Sequence, residues 1–203
     1  MGSFISLTSA DGHQLRAYRA DPAGAARGGI VVLQEIFGVN AYIRSVCDQL
    51  AAEGYVAVAP SLFDRQQPGF ESGYSSAEIA EARKFLADID WDRFLLDTDA
   101  AVQVLKAEGP VASFGFCLGA TIAFLGATRL KDVAAAVCYH GGQIIRVADE
   151  APRVPVQMHF GSEDPTIPLS DVNTIKSKRP EPEIYVYEGA KHGFGCEDKE
   201  RGT

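Results

Sequence analysis

The hydrophobic pattern divides the chain into short apolar runs that alternate with amphipathic stretches. Continuous apolar runs at 29–33 and 55–59 are typical of buried parallel strands. Apolar positions recur at helical spacing after Asn40, a candidate N-cap, and again over 91–106. Strands that alternate with helices predict a mostly parallel sheet with helices on both of its faces.

The same pattern, read with turn and capping residues, predicts the remaining elements. Residues 61–75 are rich in Pro, Gly, Ser and Gln and predict a long loop. Ser75 and Glu78 have capping-box spacing and predict a helix to about Asp88. Further strands are predicted at 4–7, 14–19, 111–114, 133–139, 154–160 and 184–187, with a short helix at 170–177.

One pentapeptide carries candidate chemistry, the run Gly-Phe-Cys-Leu-Gly at 115–119. It lies between an apolar strand and a helical run of small residues. Strand, Gly-x-nucleophile-x-Gly and helix together form the nucleophile elbow of α/β-hydrolases, whose strained turn leaves no room for side chains at the glycines. Taken alone, the motif fits a buried core cysteine equally well, since free cysteine is among the most buried residue types.

Two further strand ends carry side chains that complete a triad. Asp164 follows the predicted strand 154–160, and His192 follows the strand 184–187. The chain order of nucleophile, acid and base is that of α/β-hydrolases, and parallel strands place their carboxyl ends at one edge of the sheet. The sequence therefore predicts Cys117 as nucleophile, His192 as base and Asp164 as the acid that orients it, with Glu163 as a competing acid.

Three segments resemble the dienelactone hydrolase (carboxymethylenebutenolidase) family: Gln-Glu-Ile-Phe-Gly-Val-Asn at 34–40, the elbow, and His-Gly-Phe at 192–194. The resemblance extends over essentially the whole chain. It implies an α/β-hydrolase fold and a cysteine hydrolase that acts on enol lactones in aromatic degradation. It also implies that Glu35 regulates the thiol of Cys117, whereas the residue type alone fits a buried carboxylate bonded to a core partner.

The expected reaction is attack of Cys117 on a lactone carbonyl, which gives a tetrahedral intermediate and then a thioester. A free thiol is only a few per cent thiolate at neutral pH. His192 and the N-terminus of the helix that begins near Leu118 both favour the anion. The backbone N–H groups of Leu118 and Ile36 are predicted to form the oxyanion hole.

The chain departs from the family at the position that would recognise a substrate carboxylate. Family members that act on the acidic dienelactone use arginines, one of them four residues after the catalytic histidine, where this chain has Cys196. Arg83 lies in the other expected helix but out of register with the family's arginine, and Lys191 and Arg65 are alternative cations. The predicted substrate pocket comprises Phe37, Arg83, Lys191, Phe194 and Cys196, and His140 is a further candidate for its wall.

Composition limits the class of partner. The 203 residues carry a net charge of −8, which argues against nucleic acid, because phosphate binding needs clustered lysine and arginine. No apolar run approaches the roughly 18 residues of a membrane span, and the N-terminus lacks the features of a signal peptide. The four cysteines are widely spaced and lack zinc-site spacing. These features predict a cytoplasmic protein with free thiols and no metal. The resemblance implies an enzyme that needs no cofactor and acts on a small-molecule substrate.

The chain is expected to form one α/β-hydrolase domain over 1–203 that lacks the family's C-terminal helix. Either these residues are part of a longer protein, or one face of the sheet is less covered, which favours self-association. The sequence leaves both this choice and the oligomeric state open. Three alternative functions also remain open at this point. They are a general carboxylesterase or thioesterase, a catalytically silent protein in which Glu35 keeps Cys117 protonated, and a redox-sensing thiol with Cys196 as resolving partner.

Overall fold

A computed structural model describes residues 1–87 and 89–196. The strands are β1 (Ser3–Thr8), β2 (Gln14–Ala20), β3 (Gly29–Leu33), β4 (Val56–Pro60), β5 (Val111–Phe116), β6 (Val133–Tyr139), β7 (Val156–Gly161) and β8 (Glu183–Tyr187). The helices are α1 (Ala41–Ala52), α2 (Ser76–Arg83), α3 (Trp91–Leu105), α4 (Leu118–Arg129), α5 (Ile144–Val147) and α6 (Leu169–Lys178).

The strands form one eight-stranded sheet in the order β1-β2-β4-β3-β5-β6-β7-β8. The first hairpin is antiparallel, and β2 also pairs antiparallel with β4. All pairs from β4 to β8 are parallel. The predicted mostly parallel sheet is confirmed, and its parallel strands place their carboxyl ends at one edge.

Helices cover both faces of the sheet. Alternate residues of β3 show this, because Val31 packs in the cluster that contains the apolar faces of α3 and α4. Val32 packs with α1 in a separate cluster on the opposite face. The helix α1 begins where the sequence predicts, with the Asn40 side chain accepting a hydrogen bond from the N–H of Ile43. Helices on both faces are therefore confirmed.

Aromatic rings cross the outer strands on the face that carries α1. The Tyr139 ring stacks on His159 with centroids 4.4 Å apart, and His159 stacks on Tyr185 at 5.3 Å. Tyr185 and Tyr187 on β8 are 44% and 40% exposed. The expectation that the family's terminal helix is lacking concerns the chain end at 197–203, which lies outside the described residues.

Several boundaries differ from the predictions. Ser75 caps α2 through the predicted capping box, but the helix ends at Arg83 and continues as a 3-10 turn, Lys84–Leu86. The predicted end at Asp88 lies outside the described residues. Strand β7 begins at Val156, because residues 154–155 include a proline that cannot donate to the ladder. The helix α5 was not predicted, since four residues are too few to show a helical period.

Across the described residues, no helix combines the length and apolar character that a bilayer span requires.

Candidate active site

Cys117 occupies the sharp turn between β5 and α4. Its backbone angles are φ 52° and ψ −111°, a conformation that non-glycine residues rarely adopt. The N–H of Gly119 donates to the Gln34 carbonyl over 3.0 Å, which ties the turn to the end of β3. A Cβ on Gly115 would overlap the Gly119 carbonyl, and one on Gly119 would overlap the Leu33 carbonyl. The two glycines are therefore required by the close approach of backbone that holds Cys117 in place.

The three predicted triad side chains lie together in one hydrogen-bonded chain. His192 Nδ1 is 2.7 Å from Asp164 Oδ2, and His192 Nε2 is 3.4 Å from Cys117 Sγ. The loops after β7 and β8 position the acid and the base by bonding each other. The N–H of Glu163 donates to the Ala190 carbonyl over 2.9 Å.

Asp164 is the acid that contacts the imidazole. Its side chain is fully buried, whereas Glu163 is exposed. Its Oδ1 accepts hydrogen bonds from the N–H and hydroxyl of Thr166 at 2.8 and 2.7 Å, and from the N–H of Ile167 at 3.2 Å. The Thr166 hydroxyl is also 3.0 Å from His192 Nδ1. Thr166 was not predicted, although a hydroxyl residue two positions after an aspartate is a common turn partner.

The electrostatics favour a charged imidazole. Burial of His192 opposes protonation, but the hydrogen bonds to Asp164 and Cys117 outweigh it and raise the pKa of His192 to about 10. Burial likewise works against the Asp164 carboxylate, yet the hydrogen bond from His192 and those from Thr166 hold its pKa below the ordinary value. Asp164 therefore stays ionised beside a protonated His192 at neutral pH.

A cavity of about 450 Å³ opens onto Cys117 and His192. We call it the elbow cavity. Four residues of its wall were predicted as site residues: Ile36, Phe37, Arg83 and Leu118. The others are Ile79, Leu86, Ile89, Gly142, Gln143, Arg146 and Thr166.

Both predicted oxyanion donors lie at this wall. Among the described residues, the N–H groups of Ile36 and Leu118 have no hydrogen-bond acceptor. They are available for a developing oxyanion beside Cys117.

Arg83 and Arg146 are the charged residues of the elbow cavity. Arg83 is the last residue of α2 and lies on the cavity wall. The sequence had indicated that Arg83 is out of register in this helix for a contact with substrate. Arg146 lies on α5, after the carboxyl end of β6, and the sequence signal that could have found it is that strand-end position. Within residues 1–87 and 89–196, neither guanidinium forms a hydrogen bond or an ion pair.

Four predicted pocket residues or cations lie away from the elbow cavity. Arg65 pairs with Asp11 and with buried Asp97, each at 2.8 Å, and so is already neutralised. Lys191 is exposed. The Phe194 ring packs among the outer aromatic rings, and Cys196 is buried with its Sγ 3.8 Å from the Tyr74 hydroxyl. Lys191, Phe194 and Cys196 lie near His192 along the chain, but the tight turn at 191–196 directs their side chains away from the wall of the elbow cavity.

Glu35 is buried directly after β3 and is 1% exposed. Burial and then the Glu35 charge raise the pKa of Tyr74. Phe37, two residues further on, packs edge-to-face on Tyr74 at 4.8 Å. Of the described residues, Ile36 and Phe37 line the elbow cavity while Glu35 does not. Its role as a regulator of the thiol stays a prediction.

His140 lies beside the triad at the end of β6. It is 1% exposed, and its ring is 4.6 Å from the His192 ring between centroids. Donor atoms of Cys117, His140 and His192 all lie within 4.8 Å of one another. Among the described residues, this is the group whose donors could hold a metal ion.

The comparisons with known proteins decide the family. The model of the dienelactone hydrolase family matches residues 15–203. The chain belongs to the dienelactone hydrolase family. A carboxymethylenebutenolidase of Pseudomonas putida is 34% identical over 200 residues, which covers 94% of this chain and 84% of that protein. A candidate carboxymethylenebutenolidase of Synechocystis sp. is 35% identical over 206 residues, covering 92% of this chain and 83% of that one.

A solved structure agrees with the dienelactone hydrolase assignment. A candidate dienelactone hydrolase from Klebsiella pneumoniae subsp. pneumoniae superposes with a TM-score of 0.81 at 29% identity, covering 95% of this chain and 88% of that chain. The predicted α/β-hydrolase fold is confirmed. The protein is a hydrolase of ester bonds.

Proposed function

We propose that this dienelactone hydrolase family member cleaves a small enol lactone or an activated ester through a thioester on Cys117. The observation that carries the proposal is the chain from Asp164 through His192 to Cys117, with contacts of 2.7 and 3.4 Å, at the wall of the elbow cavity. A nucleophile, a base and an orienting acid within hydrogen-bond reach are the requirements for acyl transfer.

Acylation begins with the thiol proton on His192. The raised pKa of His192 favours the imidazolium, and the sulfur of Cys117 that has given up its proton to this base is the nucleophile. The thiolate attacks the carbonyl carbon, and the N–H groups of Leu118 and Ile36 stabilise the oxyanion. The intermediate collapses by breaking the carbon–oxygen bond, His192 gives its Nε2 proton to the leaving oxygen, and a thioester remains.

Deacylation returns the enzyme to its starting state. His192 takes a proton from water, the resulting hydroxide attacks the thioester carbonyl, and the carbon–sulfur bond breaks to release the acid. An enolate leaves more readily than a plain alkoxide, so an enol lactone suits a thiolate nucleophile. The elbow cavity, at about 450 Å³, is in the range that binds small ligands.

The charge of the elbow cavity favours an anionic substrate. Arg83 and Arg146 lie on its wall without an anionic partner among the described residues. Guanidinium groups bind carboxylates in a bidentate manner. We infer that this pair replaces the arginine expected at Cys196 and holds a carboxylate of the substrate away from the scissile bond.

The test compares wild type, Cys117→Ala and Cys196→Ala on a dienelactone and on p-nitrophenyl acetate. We expect Cys117→Ala to lose at least about 10³-fold in kcat, since removal of a nucleophile abolishes the covalent path. Cys196→Ala is the matched control, and it should keep the wild-type rate. Mass spectrometry after rapid acid quench should find an acyl group on Cys117.

Unchanged turnover in Cys117→Ala would remove the proposal. Turnover of p-nitrophenyl acetate without turnover of the dienelactone would indicate a general carboxylesterase on the same triad.

A further inference from the structure

We propose that Cys117, His192 and His140 together bind a zinc-like divalent cation, which occupies the catalytic thiol and imidazole and reversibly blocks hydrolysis. The proposal concerns binding by the three side chains and holds whatever ester the protein cleaves. The donor atoms of all three residues lie within 4.8 Å of one another.

The distances fit a tetrahedral ion. With Zn–S near 2.3 Å and Zn–N near 2.0–2.1 Å, a tetrahedral centre places sulfur and nitrogen about 3.5 Å apart. Cys117 Sγ and His192 Nε2 are already 3.4 Å apart. The third donor, on His140, lies within 4.8 Å of both, so closing the site requires side-chain movements of about 1 Å.

The donor set suits zinc and its relatives. Thiolate and imidazole are ligands that Zn²⁺ prefers, and three protein ligands leave a fourth position for water. Cys117 and His192 reach the elbow cavity, which gives the ion a path of entry. Binding to the thiolate–imidazolium pair displaces one proton from His192 Nε2 to solvent, because a metal-bound nitrogen cannot carry it.

Asp164 supplies the outer partner of the ligand histidine. A metal-ligating imidazole usually donates its other N–H to a carboxylate or carbonyl, which fixes its orientation. His192 Nδ1 is 2.7 Å from the buried Asp164 carboxylate. The arrangement that orients His192 for proton transfer therefore also orients it as a ligand.

His140 is held rigidly in a strained backbone conformation. Its φ of 43° is unusual for a residue other than glycine, and such strain concentrates at functional sites. Its N–H donates to the His159 carbonyl over 2.8 Å. The ring, 4.6 Å from that of His192, also packs near Phe116 and Phe194. A fixed ring loses little freedom when it binds an ion.

The direct test measures binding rather than rate. Co²⁺ titrated into the metal-free protein should produce a thiolate-to-cobalt charge-transfer band in the near ultraviolet at one equivalent. Calorimetry with Zn²⁺ should give the same stoichiometry, and Zn²⁺ should slow alkylation of Cys117 by iodoacetamide. A chelator should reverse each effect.

His140→Asn tests the third ligand. Asparagine tolerates positive φ, so the strained backbone is retained while the imidazole is removed. We expect at least a tenfold loss of Zn²⁺ affinity, measured by calorimetry on the folded variant, whatever its rate of ester hydrolysis. His13→Asn, in the first hairpin, is the matched control and should bind Zn²⁺ as the wild type does.

Failure of the metal site and failure of the proposed hydrolysis are distinguishable. If Co²⁺ gives no thiolate band, or if His140→Asn binds Zn²⁺ as tightly as wild type, the metal site is refuted even when Cys117 is shown to be the nucleophile. Should His140→Asn fail to fold, the cobalt spectrum and the alkylation protection of the wild type still decide. If the protein hydrolyses neither ester, those two measurements again stand on their own.

Discussion

Replacement of Asp164 by asparagine should lower the pKa of His192 and slow hydrolysis. The raised pKa of His192, about 10 against an ordinary 6.5, corresponds to about 5 kcal/mol in favour of the imidazolium at 1.36 kcal/mol per unit. Two charges about 4 Å apart at an effective dielectric constant of 20 attract by about 4 kcal/mol. The hydrogen bond to Asp164 is the largest contribution that raises the pKa of His192, and Cys117 contributes next. Removal of the Asp164 charge should therefore lower the pKa of His192 by about two units.

The assay is an NMR titration of the histidine rings, in which His192 is assigned from the signal missing in His192→Gln. Wild-type His192 should lose its proton near pH 10, and in Asp164→Asn it should do so near pH 8 or below. An asparagine also permits the wrong imidazole tautomer, which lowers kcat by about 10⁴ in Ser–His–Asp enzymes. We expect at least about a 100-fold loss here, because a thiol needs less help from its base than a hydroxyl does.

Glu163→Gln provides the matched control for the acid. It removes an adjacent carboxylate that is exposed and does not contact His192. The pH midpoint of the His192 titration and the value of kcat should both stay as in the wild type. The reasoning is refuted if Asp164→Asn leaves the midpoint within half a unit, or if Glu163→Gln moves it as far.

Three further predictions follow from the geometry. Arg146→Gln should raise KM about tenfold, or about 1.4 kcal/mol, for an ester that bears a carboxylate, with no change for a neutral ester or in the surface variant Arg93→Gln. Gly119→Ala should lower the free energy of unfolding in urea by about 3 kcal/mol through backbone overlap, whereas Gly126→Ala should raise it by up to about 1 kcal/mol, since its Cβ would meet Leu130 and Val133 only at ordinary van der Waals distances of 3.7 and 4.0 Å. Because the pKa of His192 is raised, protonated His192 should contribute fully to the free energy of unfolding below pH 6.5, and this contribution should be lost as the pH rises to about 10. The same pH dependence should be absent in His192→Gln.

The sheet could be predicted from the sequence because its interior strands are buried on both faces. A run such as 29–33 is apolar throughout, so pattern alone fixes its type and nearly its ends. Elements with fewer constraints were predicted less well. The four-residue α5 has no period to detect, and the end of α2 depends on how its last turn packs.

The triad could be predicted because chain order and strand ends are sequence properties. Cys117, Asp164 and His192 each follow a parallel strand, so topology brings them to one edge before any side chain is considered. The pocket could not be predicted in this way. The wall of the pocket is formed by residues from loops and short helices, and Arg146 is one of them. The directions of these side chains depend on tertiary packing. Lys191 precedes His192 in sequence, yet it is exposed and does not line the elbow cavity.

The closeness that the proposed mechanism requires of Cys117 and His192 also suits them to bind a metal ion together. Their sulfur and nitrogen atoms lie 3.4 Å apart, the separation that a tetrahedral ion requires. Two such donors bind a divalent ion weakly. A third donor within reach raises the affinity, because each added ligand strengthens binding without a further cost in translational freedom. His140 is the residue that adds the third donor. The affinity for zinc should therefore depend on the residue at position 140 as well as on those at positions 117 and 192.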